Sequence, residues 1–360
     1  MTPQLVSALS WQALTSTQNN IKTPNNFLLN MLIGSKRHTN PTEIIEVGRW
    51  IGVRKMVPFT KVGAQAHPLQ GITKDFTAVK APNIRVKTTF EPSPLLFGRQ
   101  PDTKVFLRDG ESQLSAVQDH INKDMQAMAD GIANREEWLM AQALTGVIAY
   151  SADDDIHAEA WEYDYNRAAG HTVALTGTDQ WDNAASDIAG DVREAKRLVM
   201  EATGVQLTDV IMGKLAADAF LNNAPVLAIL DRRNAESKSA NGPQEFANGF
   251  RADGAYYCGR VFGLDWWEYN RTALDADGTT SVQLIDTKKA FLVGQQDDSV
   301  SMEFGAIPDM DAYAGGLIQV ERFSKAWVEK DPSVAQALVH SRPFILLKNP
   351  DTFFEYQVLV

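Results

Sequence analysis

Residues 344–360 read FILLKNPDTFFEYQVLV, two apolar runs that are separated by a turn at Asn349-Pro350-Asp351. Most domains leave their last few residues loosely ordered unless packing ties them down. This stretch has no polar tail, and so much apolar surface is stable only away from water. We therefore expect the chain to finish in strands that are buried inside the fold.

The composition is typical of a globular protein. The chain has 360 residues, of which 44% are hydrophobic and 22% charged, and this length predicts about two domains or one multi-lobed chain. The single cysteine, Cys258, excludes an intrachain disulfide. No run reaches the ~18 apolar residues of a membrane span. The first residues lack the features of a signal peptide, so we expect a protein that is kept in a cytoplasm and has no membrane partner.

The charge is polarised along the chain. The formal net charge is −11, which disfavours a nucleic-acid reader with a broad basic face. Between residues 46 and 100, however, nine basic residues stand against three acidic ones, whereas between residues 153 and 201 twelve acidic residues stand against four basic ones. The local balances are +6 and −8, so the two segments have complementary charge.

The first third of the chain has three parts. Residues 1–45 are rich in Asn, Thr and Pro and resemble an arm that lies on another surface. Residues 84–90 alternate as a half-exposed strand does, and a second alternating run precedes them, so together they suggest a long two-stranded excursion within 46–110. The spacing of Leu114, Val117, Ile121, Met125 and Met128 then predicts a long amphipathic helix over about 112–149.

The remainder of the chain mixes short helices and strands. A second amphipathic helix is predicted around residues 184–199, a buried strand at 207–213 and a short helix that Pro225 ends. Three strand-like stretches follow Glu321, with prolines at 332, 343 and 350. In a strand, Trp266 and Trp267 would point to opposite faces, so that one lies in the core and the other is available to a neighbour. The overall class is α+β.

The sequence offers little catalytic chemistry. It contains no nucleotide-binding glycine motif and no serine-hydrolase elbow, and its histidines lack metal-ligand spacing. We interpret the acidic runs at 153–155 and 275–277 as solvated turns, and Cys258 as a small buried hydrophobe. His157, Glu159, Glu162 and Asp164 are compatible with an acid/base cluster, but aromatic residues alternate with these acids as in a half-exposed strand. We therefore predict no catalytic residue, no cofactor and no metal.

The order of these elements resembles that of the major capsid proteins of tailed bacteriophages, in particular the phage lambda E-type family. The resemblance is most specific at residues 331–360, where Asp331-Pro332 leads into a strand, a proline-containing apolar strand follows, and Asn349-Pro350-Asp351 makes the turn before the final strand. The segment PLLFGR at residues 94–99 and the helix after RDGESQLSAV also fit the family's layout.

The resemblance implies the Hong Kong 97 capsid fold. In that fold the N-terminal arm would comprise residues 1–45 and the E-loop region 46–110. The peripheral domain would comprise 111–175 and 315–342, with a spine helix over about 112–149. The axial domain would comprise 176–314 and 343–360, and the terminal strands would be interior to its sheet.

The resemblance also implies the partners. The chain would assemble with itself into the hexamers and pentamers of a shell around packaged double-stranded DNA, with a portal, a separate scaffolding protein and possible decoration by a small protein. A basic E-loop would lie on an acidic surface of the next subunit, because complementary potentials steer assembly. The residues expected at this inter-subunit contact are Arg54, Lys55, Lys61, Lys74, Lys80, Arg85, Lys87, Asp153, Asp154, Asp155 and Trp267. Assembly would be salt-sensitive.

Two other functions remain open from the sequence. An encapsulin-like nanocompartment shares the implied fold but packages a cargo enzyme, and the contents of purified shells distinguish it from a virus. A soluble hydrolase would use the acidic and histidine cluster near His157, including Asp155.

Overall fold

The computed structural model of the chain describes residues 11–21, 26–51, 59–63, 65, 73–90, 113–151, 159–228, 254–274, 280–294, 299–310, 317–331 and 333–360. Its helices are α1 (Trp11–Asn20), α2 (Gln113–Thr145), α3 (Ile188–Ala202) and α4 (Lys214–Asn222). Its strands are β1 (Arg37–Thr39), β2 (Ile44–Ile51), β3 (Thr73–Lys80), β4 (Ile84–Phe90), β5 (Val147–Tyr150), β6 (Trp161–Asp164), β7 (Thr172–Ala174), β8 (Asp209–Met212), β9 (Ala255–Val261), β10 (Leu264–Tyr269), β11 (Thr272–Leu274), β12 (Ser281–Gln283), β13 (Lys289–Val293), β14 (Val300–Phe304), β15 (Ile307–Pro308), β16 (Leu317–Ile318), β17 (Phe323–Lys330), β18 (Ser333–Ser341), β19 (Pro343–Leu347) and β20 (Phe353–Gln357). The predicted α+β class is confirmed.

The largest sheet has six strands in the order β7-β20-β13-β8-β10-β9. Alternate residues of β13 and β20 contribute to two different hydrophobic clusters, because successive side chains of a strand point to opposite faces. One face packs against α3 and α4, whose buried residues include Val192 and Phe220. The other face packs against the C-terminal half of α2 through residues such as Phe291 and Leu144. Both faces of the sheet are therefore covered.

The last strand lies inside this sheet. β20 is hydrogen-bonded between β13 and β7, and Phe353, Phe354 and Tyr356 are buried. The preceding apolar strand, β19, pairs instead with β14 in a three-stranded sheet, β1-β14-β19, and all five of its residues are buried. The apolar end of the sequence is thus explained: one strand completes the large sheet and the other fills the core beside it.

The N-terminal half of α2 packs on a second sheet, β17-β18-β4. Met125, Met128 and Ile132 lie on the predicted apolar face of the helix, and they contact Ala337 and Val339 on β18. α1 closes the same cluster through Leu14. The long helix therefore joins two sheets, one at each end.

The two strands of the predicted excursion do not pair with each other. β3 pairs antiparallel with β2, from Ile44↔Lys80 to Ile51↔Thr73, whereas β4 pairs with β18. The prediction of a hairpin between them is wrong because alternation identifies a half-exposed strand but not its partner. The projecting element is the β2–β3 ribbon, and β4 lies in the sheet on α2.

Three boundaries also differ from the predictions. α2 ends at Thr145 and a strand begins at Val147, because Gly146 adopts a positive φ of +88° that terminates the helix. α4 ends at Asn222, before Pro225, which lies in a further helical turn over residues 224–228. Four strands, not three, follow Glu321, since Pro343 begins β19 directly after β18.

No helix in the described ranges is long and apolar enough to cross a bilayer.

Gly213 connects β8 to α4 at a point where the backbone of the β12–β13 connection approaches closely. A Cβ atom at this position would lie 2.6 Å from the Cα of Thr287 and closer still to the carbonyl oxygen of Asp286. We expect Gly213→Ala to lower the free energy of unfolding by at least about 2 kcal/mol, because backbone atoms cannot yield as a side chain does. Urea denaturation of the unassembled subunit measures the effect.

Gly131 provides the matched control. It lies on the exposed face of α2, and a Cβ atom there would meet nothing within 4 Å. Gly131→Ala should stabilise the subunit by about 0.5–1 kcal/mol, since glycine is a poor helix former. Equal effects of the two substitutions would contradict the packing at Gly213.

Candidate functional site

Five of the eleven predicted contact residues have described side chains: Lys61, Lys80, Arg85, Lys87 and Trp267. Lys74 lies in β3, but its side chain is outside the described residues. Arg54, Lys55, Asp153, Asp154 and Asp155 lie outside the described residues altogether.

Among the described residues, the β2–β3 ribbon is anchored at its base. Near its base Ile45, Val47 and Val79 are buried in the main core, and the indole Nε1 of Trp161 donates to the carbonyl oxygen of Lys80 at 3.2 Å. Farther along, Phe76 is 65% exposed. In residues 59–63, which lie between β2 and β3 in the sequence, Phe59 and Val62 are wholly exposed, and the Lys61 side chain between them is exposed too. The ribbon thus carries apolar and basic side chains away from the core.

The outer face of β4 is basic. The register places Arg85 opposite His340 and Lys87 opposite Leu338, and Leu338 is in turn opposite Lys325 on β17. Arg85 and Lys87 are exposed, whereas Lys325 is half-buried and pairs with Asp309 at 2.6 Å. Because the opposite face of this sheet packs on α2, its basic face is the one that points outward.

His340 is the buried titratable group of this basic face. Its ring Nε2 lies 3.3 Å from the Oδ1 of Asn83. Burial, followed by the positive charges of Arg85 and Arg342, lowers the pKa of His340 to about 4; Lys325 acts in the same direction and Asp309 opposes it. The imidazole is therefore neutral near pH 7, and a proton taken up there would have to enter a buried site beside cations.

Trp266 and Trp267 point to opposite faces of β10, as predicted. Trp266 is fully buried, whereas Trp267 is half-buried and its indole donates to the Oδ1 of Asp209 at 3.2 Å. The Trp267 ring lies 5.4 Å from that of Phe27 and 4.7 Å from that of Tyr257. Its partly exposed edge is the portion that a neighbour would contact.

The acidic residues after α2 lie on a surface strand. Glu162 and Asp164 of β6 are exposed, and they alternate with the half-buried Trp161 and Tyr163. This confirms the half-exposed strand, with Glu159 exposed just before it. His157 and Asp155 are outside the described residues, so the proposed hydrolase cluster is not seen in the part of the chain that is described.

The described residues give little support to metal binding or to a cysteine nucleophile. Within the described ranges, no group of three or more His, Cys, Asp or Glu side chains is arranged to hold a metal ion. Cys258 is buried, and burial raises the pKa of its thiol to about 12. Since the thiolate is the nucleophilic form, this cysteine is inert at neutral pH. The interpretation of Cys258 as a core residue is confirmed.

A groove opens beside the base of the ribbon. It has a volume of about 770 Å³ and lies between β4, α2, the β5–β6 hairpin and the β11–β12 hairpin. The guanidinium carbon of Arg135 lies 5.0 Å from the ring centroids of both Trp138 and Tyr150. Leu274, at the rim, is 67% exposed. The groove is thus aromatic and apolar within and partly charged at its edge.

Two adjacent carboxylates on α2 were missed in the sequence. Glu136 and Glu137 are 1% and 0% exposed. Glu136 pairs with Arg37 at 2.6 Å and with Arg322 at 3.3 Å. Glu137 accepts hydrogen bonds from the backbone amides of residues 28 and 29 and from the Tyr269 hydroxyl. Two consecutive acids within an apolar helical pattern were the available signal, since they interrupt the expected face.

The family comparison covers nearly the whole chain. The model of a family described as phage major capsid protein E matches residues 10–358. None of the curated proteins matches the sequence.

Solved structures show the same architecture. A prophage capsid protein of E. coli CFT073 is 16% identical, with a TM-score of 0.65 over 100% of this chain and 99% of that one. The capsid of Ralstonia phage GP4 is 10% identical, with a TM-score of 0.52 over 94% and 91% of the two chains. A phage-related protein of Bordetella bronchiseptica RB50 is 10% identical, with a TM-score of 0.51 over 96% of each chain. At these identities the likeness concerns the fold, and it confirms the predicted Hong Kong 97-type fold.

Acid should destabilise the subunit through His340. The pKa of this group is 6.5 in an ordinary environment and about 4 in the folded chain. Between those values the unfolded chain binds a proton that the folded chain does not, so stability falls as the pH is lowered from about 6.5 to about 4. The expected loss is on the order of 3 kcal/mol. Urea denaturation of unassembled subunits at pH 7 and pH 4 measures it.

His340→Gln should remove most of this acid-dependent loss while retaining a polar partner for Asn83. His38→Gln is the matched control, because the His38 side chain is exposed. If the two variants lost the same stability between pH 7 and pH 4, His340 would not be the group that titrates.

Proposed function

Because the chain belongs to the phage major capsid protein E family, it is a structural protein of a virion shell, and we propose that its copies form an icosahedral head that encloses double-stranded phage DNA. The observation that carries this proposal is the family match over residues 10–358. The anatomy of the ribbon agrees with it.

The β2–β3 ribbon needs support from outside its own chain. A two-stranded ribbon is marginally stable in water unless it packs on another surface. Its base is held by buried residues, but Phe76, Phe59 and Val62 are exposed along its length and beyond it. Such a projecting element is suited to lie on a neighbouring subunit, which is the role of the E-loop in the proposed shell.

The proposed domains follow the sheets. The arm would be residues 1–45, and the E-loop region 46–110 would include the ribbon and β4. The peripheral domain, 111–175 and 315–342, contains α2 and the two strands that pair beside β4. The axial domain, 176–314 and 343–360, contains most of the six-stranded sheet. β4, which belongs to the proposed E-loop region, pairs with β18 of the proposed peripheral domain.

Charge would fix the register between neighbours. Lys61, Lys80, Arg85 and Lys87 are exposed on the ribbon and β4, and Glu159, Glu162 and Asp164 are exposed after α2. We place these basic groups, together with Arg54, Lys55 and Lys74, against an acidic surface of the next subunit that includes residues 153–155. The partly exposed edge of Trp267 would join the same contact. Complementary charge of this kind accelerates and orients association more than it strengthens it.

The remaining partners follow from shell assembly. The subunits would form hexamers and pentamers in the host cytoplasm, with the help of a separate scaffolding protein. A portal would occupy one vertex, and a small decoration protein would cement the outer surface. The DNA would be held by confinement and not read by sequence, in agreement with the net charge of −11.

Electron microscopy of the purified protein in low and high salt tests the proposal. Closed shells, tubes, or rings of five and six subunits are expected, with more assembly at low salt. Shells that held a protein cargo in place of DNA during infection would contradict the viral role. A salt-independent monomer that never assembled, even with scaffolding protein present, would contradict shell formation itself.

Reversal of the exposed basic charges should weaken assembly. In the variant Lys61→Glu/Lys80→Glu/Arg85→Glu/Lys87→Glu, each lost pair is worth at most about 1 kcal/mol. Together they should raise the critical concentration for assembly at least about tenfold at low salt. Light scattering against protein concentration measures it.

Lys123→Glu is the control, because this exposed lysine lies on α2 and is not among the residues of the proposed contact. The difference between the two variants should disappear in 1 M salt, where the screening length falls to about 3 Å. A defect of equal size at both salt concentrations would mean that the basic residues act through packing and not through charge.

A further inference from the structure

We propose that the groove between β4, α2, the β5–β6 hairpin and the β11–β12 hairpin binds an aromatic anion, a drug-sized molecule with a flat apolar body and one carboxylate or sulfonate group. The site lies within a single subunit, so this inference goes beyond the proposed function and does not depend on shell assembly. The residues that carry it are all among those that the structure describes.

The groove has the size and lining of a small-molecule site. Its volume of about 770 Å³ lies within the range of about 300–1,000 Å³ that is usual for ligand pockets. Such pockets are lined mainly by apolar and aromatic side chains, with a few polar groups that orient the ligand. The apolar and aromatic residues that matter most here are Ile84, Val86, Trp138, Tyr150, Leu274 and Val282.

The aromatic rings of the groove are held in place by the subunit itself. The Trp138 and Tyr150 rings meet edge to face at a centroid distance of 6.1 Å, and the guanidinium carbon of Arg135 lies 5.0 Å from both centroids. The Trp161 indole, also in the lining, donates to the carbonyl oxygen of Lys80 at 3.2 Å. Because these rings are already ordered, a planar ligand that stacks on them loses little affinity to the ordering of side chains.

The charges of the lining favour an anion. Arg85 and Arg135 both line the groove, whereas Glu159 is the one carboxylate among the described lining residues. Arg135 is half-buried, so water screens its charge less than that of the exposed Glu159. Arg271 donates to the Oδ1 of Asn134 at 2.7 Å and so fixes an amide group in the same lining. A planar guanidinium presents parallel donors that match a carboxylate or sulfonate, so an anion gains more here than a neutral molecule of the same shape.

A ligand in this groove would contact segments that are far apart in the sequence. Residues 82–86, 131–139, 149–161 and 273–282 contribute to the lining. A molecule that binds only when these segments are assembled stabilises the folded subunit by mass action. An aromatic anion would therefore stabilise the junction between the base of the ribbon, the long helix and the two hairpins.

Fluorescence titration of the unassembled full-length subunit tests the preference for an anion. The probe is 1-anilinonaphthalene-8-sulfonate, an aromatic sulfonate whose emission rises in apolar surroundings, and its neutral counterpart is N-phenyl-1-naphthylamine. Arg85→Gln should weaken binding of the sulfonate at least about threefold and change binding of the neutral probe by less than about twofold.

Lys87→Gln is the matched control for this substitution. Lys87 is exposed on the same face of β4 as Arg85, but it is not part of the groove lining. Its substitution should weaken binding of the sulfonate by less than about 1.5-fold. Equal weakening by the two variants, or none by Arg85→Gln, would overturn the proposal, because the charge that selects the anion would not be in the groove.

Substitution at the rim tests the location of the site. Leu274 is 67% exposed, so Leu274→Glu should leave the fold intact while it places a carboxylate against the ligand. We expect binding of the sulfonate to weaken at least about tenfold. Leu227→Glu is the control, because this leucine is 43% exposed and is not part of the lining. Binding that was unchanged by Leu274→Glu, or weakened equally by both substitutions, would mean that the probe binds elsewhere.

Urea denaturation distinguishes a site in the folded subunit from binding to partly unfolded chains. A ligand of the folded groove should raise the urea midpoint of the parent subunit, and Leu274→Glu should abolish the rise. A midpoint that stayed the same or fell in the presence of the sulfonate would overturn the proposal. Shell formation by the parent chain is scored separately, so failure of this site would leave the proposed function intact.

Discussion

The buried carboxylates of Glu136 and Glu137 are the interaction on which the rest of the structure depends. They are adjacent on α2 and point to different partners, Glu136 to Arg37 and Arg322, and Glu137 to the amides of residues 28 and 29 and to Tyr269. Burial raises the pKa of Glu137, although these hydrogen bonds oppose the shift. Each carboxylate is thus expensive to bury, and its loss would leave buried donors unpaired, so the arm, both sheets and the helix are held in one arrangement.

The C-terminal end of α2 is fixed by a second ionic group. The Arg167 guanidinium donates to the carbonyl oxygens of Leu144 and Thr145, which the end of the helix leaves unsatisfied, and to the Oε2 of Glu355 at 2.8 Å. Glu355 also pairs with Lys289 at 2.7 Å. The charged residue in the otherwise apolar strand β20 therefore couples the end of the long helix to the interior of the six-stranded sheet.

The sequence predicts elements whose stability is local or whose burial is complete. The final strand, α3 and the alternation of Trp266 with Trp267 follow from composition and period. The pairing of strands does not follow from composition and period. The partner of β4 lies some 250 residues away along the chain, and local alternation carries no information about so distant a partner. Glu136 and Glu137 interrupt the apolar face of the helix in the sequence, but their partners could not be predicted, since a charged side chain in a helix is usually solvated and only distant arginines and amides explain its burial. The exposure of the charged contact residues could be predicted from their residue types. The groove could not be predicted, because four separated segments of the chain form it.

The contrast between the core and the ribbon has a physical reason. The Glu136 and Glu137 carboxylates of α2 are buried and have partners within the subunit, so the subunit keeps one shape, while Phe76 leaves the ribbon with apolar surface in water. The proposed contact of the ribbon with a neighbouring subunit would bury little area, so that each contact alone would be weak and reversible. In a closed lattice every subunit both donates and receives one, and geometric closure makes the contacts mutually dependent. Because a single contact is reversible, a misplaced subunit can leave the lattice. Because the subunit is rigid, all of its contacts can form together only when the shell has the correct curvature.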